Sequence, residues 1–151
     1  MTDLFPALAL GDVLDEANAI TIKAVCKTAV AKGQLVKWDT HIGSDLGSIS
    51  TAGAEAKNLA GGAMKTGAVG DVIPICKIGI WKAKASGVIT LGDKIVSDAN
   101  GLVGSSPALD APASYTEAAM QTELDKIEAR CGVAMQSFAD SDEGLVFLNI
   151  R

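Results

Sequence analysis

The groups in this chain that could do chemistry are few and scattered. The one histidine, His41, lies in a stretch rich in Gly, Ser, Thr and Asp. A histidine works as a base or a ligand only when a second polar group orients it. No such partner stands at a motif spacing, so His41 reads as a solvated loop residue. The three cysteines are Cys26, Cys76 and Cys131. An odd number without Cys-x-x-Cys spacing reads as buried thiols in a reducing compartment, not as a disulfide or a zinc site. Asp140, Asp142 and Glu143 form an acidic turn that lacks the ligand count of a dedicated calcium loop. Asp71 and Asp93 each follow a glycine, and Asp98 stands just before Asn100-Gly101. These are turn formers rather than paired acids. Met64-Lys65-Thr66 is the nearest approach to an attachment lysine between methionines. The chain carries no HExxH, P-loop, GxSxG or zinc cluster. The reading is therefore a chain with no catalytic, cofactor-binding or metal residues.

The elements that would position any site are mostly strands. At 151 residues the chain has one domain's length and enough material for a core. Nearly half the residues are apolar but only 4% are aromatic, so Ala, Val, Ile and Gly must fill the interior. The net charge of -5 and the lack of a basic run argue against a nucleic-acid surface. No apolar run approaches the roughly 20 residues that cross a bilayer. The first residues lack a signal peptide's basic flank and apolar stretch. The expectation is a protein made and kept in a cytoplasm.

Residues 1–18 are expected to form an arm, and 19–151 a single β-rich domain. The arm carries Leu4, Phe5, Leu8 and Leu10, with Pro6 and Gly11 between and after them. It must dock on its own domain or on a partner to cover those side chains. Ile20, Ile22, Ala24 and Cys26 alternate with polar residues, as a strand requires. Leu35 to Asp39 is a second strand after a turn at Gly33. Residues 41–53 read as loop with at most one short exposed strand. Leu59 to Met64, small and apolar, suits a strand packed closely on another backbone. The centre of the chain is punctuated twice by Gly-Asp, at Gly70-Asp71 and Gly92-Asp93, each followed by a β-branched run. Trp38 and Trp81 follow such runs and suit a core or an interface equally. Asn100-Gly101 signals a hairpin. Then the period changes. Ser114 to Glu117 fits a capping box, with Ser114 as N-cap. Met120, Leu124, Ile127 and Cys131 follow at helical spacing, and Gly132 supplies a stop. This predicts one amphipathic helix at about 115–130. A last strand covers Leu145 to Ile150.

The chain also repeats itself. Ala29 to Asp39 overlays Val88 to Asp98 with glycines, apolar positions and the closing Asp in step. Gly61 to Met64 overlays Gly132 to Met135, and each is followed by a turn and a strand. This predicts two related β-halves closing into a barrel-like core, with the helix inserted in the second half.

The residues that carry this pattern are Val30 to Val36, Gly61 to Met64, Ala68 to Ile75, Ile89 to Asp98, Asn100-Gly101, Cys131 to Met135 and Gly144 to Ile150. In them the chain resembles the small capsid decoration, or cement, proteins of tailed bacteriophages. The resemblance implies a β-barrel or β-tulip subunit, usually a homotrimer, on the outside of an expanded capsid. There it would bind the major capsid protein and stabilise its contacts against internal pressure. It implies no cofactor, no direct contact with nucleic acid and no membrane. Leu4, Phe5, Leu8 and Leu10 become the capsid-contact candidates. Two other readings remain open at this point: a β-barrel ligand-binding or carrier module, and a small enzyme.

Overall fold

The computed structural model describes residues 8–14, 16–41 and 46–150. Its local unit is a turn. Ala9-Leu10-Gly11-Asp12, Ala31-Lys32-Gly33-Gln34, Ala68-Val69-Gly70-Asp71, Thr90-Leu91-Gly92-Asp93 and Ala139-Asp140-Ser141-Asp142 share one form. In each, the fourth amide donates to the first carbonyl at 2.9 to 3.2 Å. In each, the third residue has positive φ, from 65° at Ser141 to 89° at Gly33 and Gly92. That conformation is why glycine fills the position in every turn but the last. Asp12, Gln34, Asp71 and Asp93 also accept from the first amide of their own turns through the side chain.

The turns connect ten strands: β1 (Val13–Leu14), β2 (Ile20–Cys26), β3 (Leu35–Asp39), β4 (Ser48–Thr51), β5 (Leu59–Ala63), β6 (Val72–Lys84), β7 (Lys94–Ser97), β8 (Val103–Ser105), β9 (Gly132–Ala134) and β10 (Glu143–Asn149). One helix, α1 (Glu117–Glu128), separates β8 from β9. Strands β2, β4, β3, β5 and β6 follow one another in hydrogen-bonded order, and β6 returns to β2. The first half is thus a closed five-stranded barrel.

The second half repeats it pair for pair. Leu35 opposite Gly62 becomes Lys94 opposite Val133, and Val36 opposite Thr51 becomes Ile95 opposite Ser105. Ala63 opposite Ile75 becomes Ala134 opposite Val146, and Ala24 opposite Ile73 becomes Ala83 opposite Gly144. The parallel closure of β2 on β4, which includes Cys26 opposite Ile49, is reduced to a single parallel bridge between Ala85 and Val103. Strand β6 belongs to both halves, and one core cluster joins Leu35, Leu59 and Cys76 of the first half to Ile89, Ile95 and Val146 of the second.

The cores follow from this. Ala24, Cys26, Val30, Val36, Ile49, Ala60, Ala63, Ile73 and Ile75 fill the first barrel. Ala83, Ala85, Ile89, Ile95, Val103, Cys131, Ala134 and Val146 belong to the cluster of the second, which also takes in the junction. One pair is exchanged. In the first barrel a Cβ on Gly67 would stand 2.7 Å from Ile73 Cγ2. At the matching places the second barrel has Phe138 and Gly144, and a Cβ on Gly144 would run into the Phe138 ring. Large faces small in both, with the order reversed, so each barrel keeps its packing volume.

Several local expectations are corrected. Strand β4 is buried, with Ile49 fully enclosed, because it closes the first barrel. The N-cap of α1 is Thr116, whose Oγ1 accepts from Ala119 N at 3.2 Å. Ser114 instead uses its carbonyl to accept from Thr116 N, which places it before the helix. The helix ends at Glu128, and Gly132 lies in β9. There its missing side chain lets the strand approach the Phe147 carbonyl, as Gly61 approaches that of Cys76. The apolar stripe of α1 does not reach a core: Met120, Leu124 and Ile127 are each nearly half exposed. Polar contacts fasten the helix instead, Lys57 to Asp125 at 2.9 Å and Lys126 to the Ala108 carbonyl at 3.2 Å.

The exchanged pair makes the repeat testable. Gly144→Ile should destabilise the protein by about 2 kcal/mol, as overpacked cores do. Most of that penalty should vanish in a Phe138→Ala background, a coupling of about 1 kcal/mol or more in urea unfolding. Additive effects would show that the two positions do not share one space.

Candidate functional site

The groups that might have formed an active site are dispersed and already employed. His41 is exposed just past the end of β3. Asp71 and Asp93 hold their own turns, and Asp98 accepts from Asn100 N and Leu102 N at 2.8 and 2.7 Å. Asp140 accepts from Gly87 N at 2.7 Å. Lys65 is exposed beside Met64, which packs inward, and Thr66, whose Oγ1 accepts from Lys32 N.

All three thiols are buried and unpaired with one another. Burial pushes Cys76 up to about 11 and Cys131 up to about 12, and raises Cys26 as well. A raised thiol stays protonated at neutral pH, so none of the three is a poised nucleophile.

Ile49, Ile73, Ile75, Ile89 and Ile95 point into the barrels and are enclosed there at 0 or 1% exposure. A cleft of about 420 Å³ lies where the end of α1 meets the junction of the barrels. Lys57, Glu128 and Arg130 stand among its lining residues beside Leu59, Ile127 and Ile150. Its lining carries charged side chains of both signs.

What remains is surface. Of the arm residues singled out above, Leu4 and Phe5 lie outside the described residues. Leu8 and Leu10 are half-buried against the body. The Leu8 carbonyl accepts from Lys82 Nζ at 2.7 Å. The Leu10 side chain occupies the space a side chain on Gly33 would need, so the arm turn stacks on the Gly33 turn. Gly11 N donates to the Lys82 carbonyl at 2.8 Å, Lys82 N donates to Asp12 O at 3.0 Å, and β1 then pairs with β6. Asp12 meets Lys32 at 2.5 Å, and that bond, with the Ala9 amide, holds its carboxyl below the usual carboxylate range. Residues 8–14 of the arm are thus clamped across both barrels.

Large apolar side chains are exposed elsewhere on the turns. Val69 and Val72 project from the first barrel, and Val88, Leu91 and Met135 from the second. With the stripe of α1, and with Ile20, Leu109, Tyr115 and Phe147, they are the exposed large apolar side chains among the described residues. Sequence reading missed them because an exposed Val or Leu looks like any other strand residue. The signal that could have found them was the aligned repeat, in which Leu91 replaces Lys32.

Two outcomes follow. Aromatic disulfide reagents at mildly alkaline pH should leave the native thiols untouched over minutes and titrate all three on unfolding. Fast reaction in the native state would mean that a core opens. Asp12→Ala should speed amide exchange at Gly11 and Lys82, at a cost of about 1 kcal/mol or less, as for an exposed pair. The same release should occur in the natural chain as pH falls through the depressed Asp12 value. The contact is present above the ordinary carboxylate range and is lost only when the folded carboxyl takes up its proton.

No family model and no curated protein matches the sequence. Among solved structures, the crystal structure of the head fiber gp8.5 N base of bacteriophage phi29 is similar. Its identity is 16% and its TM-score 0.60, over 86% of this chain and 93% of that one. This double barrel therefore shares its fold with the base of a phage head fiber.

Proposed function

We propose that this chain is a structural protein of a phage virion. It binds the outside of the expanded capsid as a decoration, or cement, protein and stabilises contacts between major capsid proteins. The observation that carries the reading is the shared fold, which spans most of both chains and comes from a protein of a phage head. The interior supports it: two filled barrels and three protonated thiols suit a rigid attachment more than a catalyst or a carrier.

In this reading the subunit is a homotrimer, it is made in the host cytoplasm, and its partner is the major capsid protein. The contact runs through Leu4, Phe5, Leu8 and Leu10. Leu10 is anchored over Gly33. An arm that adds a strand to a sheet edge of the coat protein would gain main-chain hydrogen bonds as well as apolar burial. Many copies on a symmetric shell would make such modest contacts collectively strong.

The test is co-sedimentation of the purified protein with shells that lack it, before and after expansion. Saturable binding to expanded shells, with a raised temperature of DNA release, is expected. Removing residues 1–7 should weaken binding about tenfold or more, the loss of one or two buried large apolar side chains. It should leave the thermal midpoint unchanged. Absence of binding to either shell would overturn the reading.

A further inference from the structure

The tip of the β7–β8 hairpin is a joint where the second half is bonded to the first. Glu55 N donates to Ser97 O at 2.8 Å. Ser97 Oγ donates to Gly53 O at 2.6 Å and accepts from Ala56 N at 3.1 Å. Leu35 N donates to Gly101 O at 2.7 Å, and Gln34 Nε2 donates to Asn100 O at 3.0 Å. The fit is close: a Cβ on Gly101 would stand 2.9 Å from both Leu35 O and Thr51 Cγ2. Gly101 is buried in that contact.

The chain's one Asn-Gly pair stands at this tip. Asn18, Asn58 and Asn149 are followed by Ala, Leu and Ile. The carboxamide carbon of an asparagine is open to attack by the backbone nitrogen of the next residue, and glycine has no side chain to obstruct that nitrogen. The attack is intramolecular and gains from proximity; it is one reason asparagine is thermally labile. Asn100 is exposed, and its carboxamide has no hydrogen-bond partner among the described residues. The Gly101 nitrogen is loosely held. Its bond to Asp98 O is 3.3 Å, against 2.9 to 3.2 Å for the closing bonds of the turns described above. Asp98 Oδ1 instead holds the amides on either side, those of Asn100 and Leu102.

We propose that Asn100 is a self-modification site whose conversion loosens the joint between the two halves. Gly101 N attacks Asn100 Cγ, and the new N–Cγ bond closes a succinimide ring. The Cγ–Nδ2 bond breaks, and Nδ2 leaves as ammonia with the proton that Gly101 N gives up. Water then opens the ring: its oxygen goes to the carbonyl it attacks, and a proton returns to the ring nitrogen. Attack at Cγ leaves aspartate, and attack at the main-chain carbonyl leaves isoaspartate. Either product adds a carboxylate to the turn that Asp98 already charges. The isoaspartate also lengthens the backbone by a methylene and carries Gly101 O away from Leu35 N. Because Gly101 is covered, opening of the joint sets the rate: Gln34 and Leu35 must let go before the Asn100–Gly101 peptide can turn toward Cγ. None of this depends on capsid binding.

The test ages the full chain for weeks in mildly alkaline buffer, well below its thermal midpoint. Peptide mass spectrometry then locates every exchange of an amide NH2 for OH, and enzymatic methylation detects isoaspartate. The exchange should accumulate at Asn100 ahead of Asn18, Asn58 and Asn149, with isoaspartate in the product. The thermal midpoint of the aged protein should fall, and aged Asn100→Gln should keep its own. Gln34→Ala removes a bond across the joint at an exposed site and should speed the native reaction several-fold. In urea the natural chain and Gln34→Ala should react at the same rate.

An Asn100 that stays intact in the native chain would overturn the proposal. So would conversion at the other asparagines at an equal rate, or conversion at Asn100 that leaves the midpoint unchanged. A native rate that Gln34→Ala does not alter would show that the joint does not control the site, and would overturn it too.

Discussion

Strand β6 is the constraint on which the rest of the molecule depends. Its first part pairs with β2 on one edge and β5 on the other, and its second part with β1 and β10. A strand bonded on both edges along most of its length has nowhere to slip, because a shift of one residue would turn every side chain to the wrong face. The change of partners occurs around Gly79, which has φ 149° and would place a Cβ 2.9 Å from that of Ala19. The register of β2 against β6 shifts beside it, between Ile20 and Thr21. Just beyond, Trp81 is fully buried, and a Cβ on Gly62 would stand 2.5 Å from its indole. The indole nitrogen has no hydrogen-bond partner among the described residues. Packing, rather than polar satisfaction, selects the tryptophan there.

Much of this was legible in the sequence because turns are local. A positive φ needs glycine, and the side chain after it caps the turn, so Gly33, Gly70 and Gly92 announced themselves. The overlay of Ala29 to Asp39 on Val88 to Asp98 survives as an identical pattern of strand pairing. Closure was not legible, because which strand meets which is decided by contacts far apart in sequence. The alternation at Ile20, Ile22, Ala24 and Cys26 gave a strand but not its environment. Ile20 is half exposed, while Val25, on the opposite phase, is buried where β4 closes over it. Helix α1 was visible from its spacing. Its fastening was not, since Lys57 reaches Asp125 from the other barrel. The arm showed its apolar residues but not that Leu10 would find Gly33.

The same economy bears on function. A chain with few aromatic residues fills two small barrels with Ala, Val and Ile, and among the described residues the buried polar side chains are serines. The specific features that remain lie on the turns and the arm, where small residues let backbones approach. Residues 8–14 are clamped on the body through Lys82 and Asp12. The repeat then gives the second barrel an open copy of the surface that the arm covers on the first. An anchored segment at residues 8–14 and several uncovered turns are the surface features on which the proposed role of holding neighbours would rest.

The most direct measurement of that role is electron cryomicroscopy of expanded shells with and without the protein, compared as a difference map. The account expects double-barrel density on the outer surface, bridging adjacent coat subunits, with its arm end toward the shell. Density confined to the interior, or none at full occupancy of added protein, would contradict it.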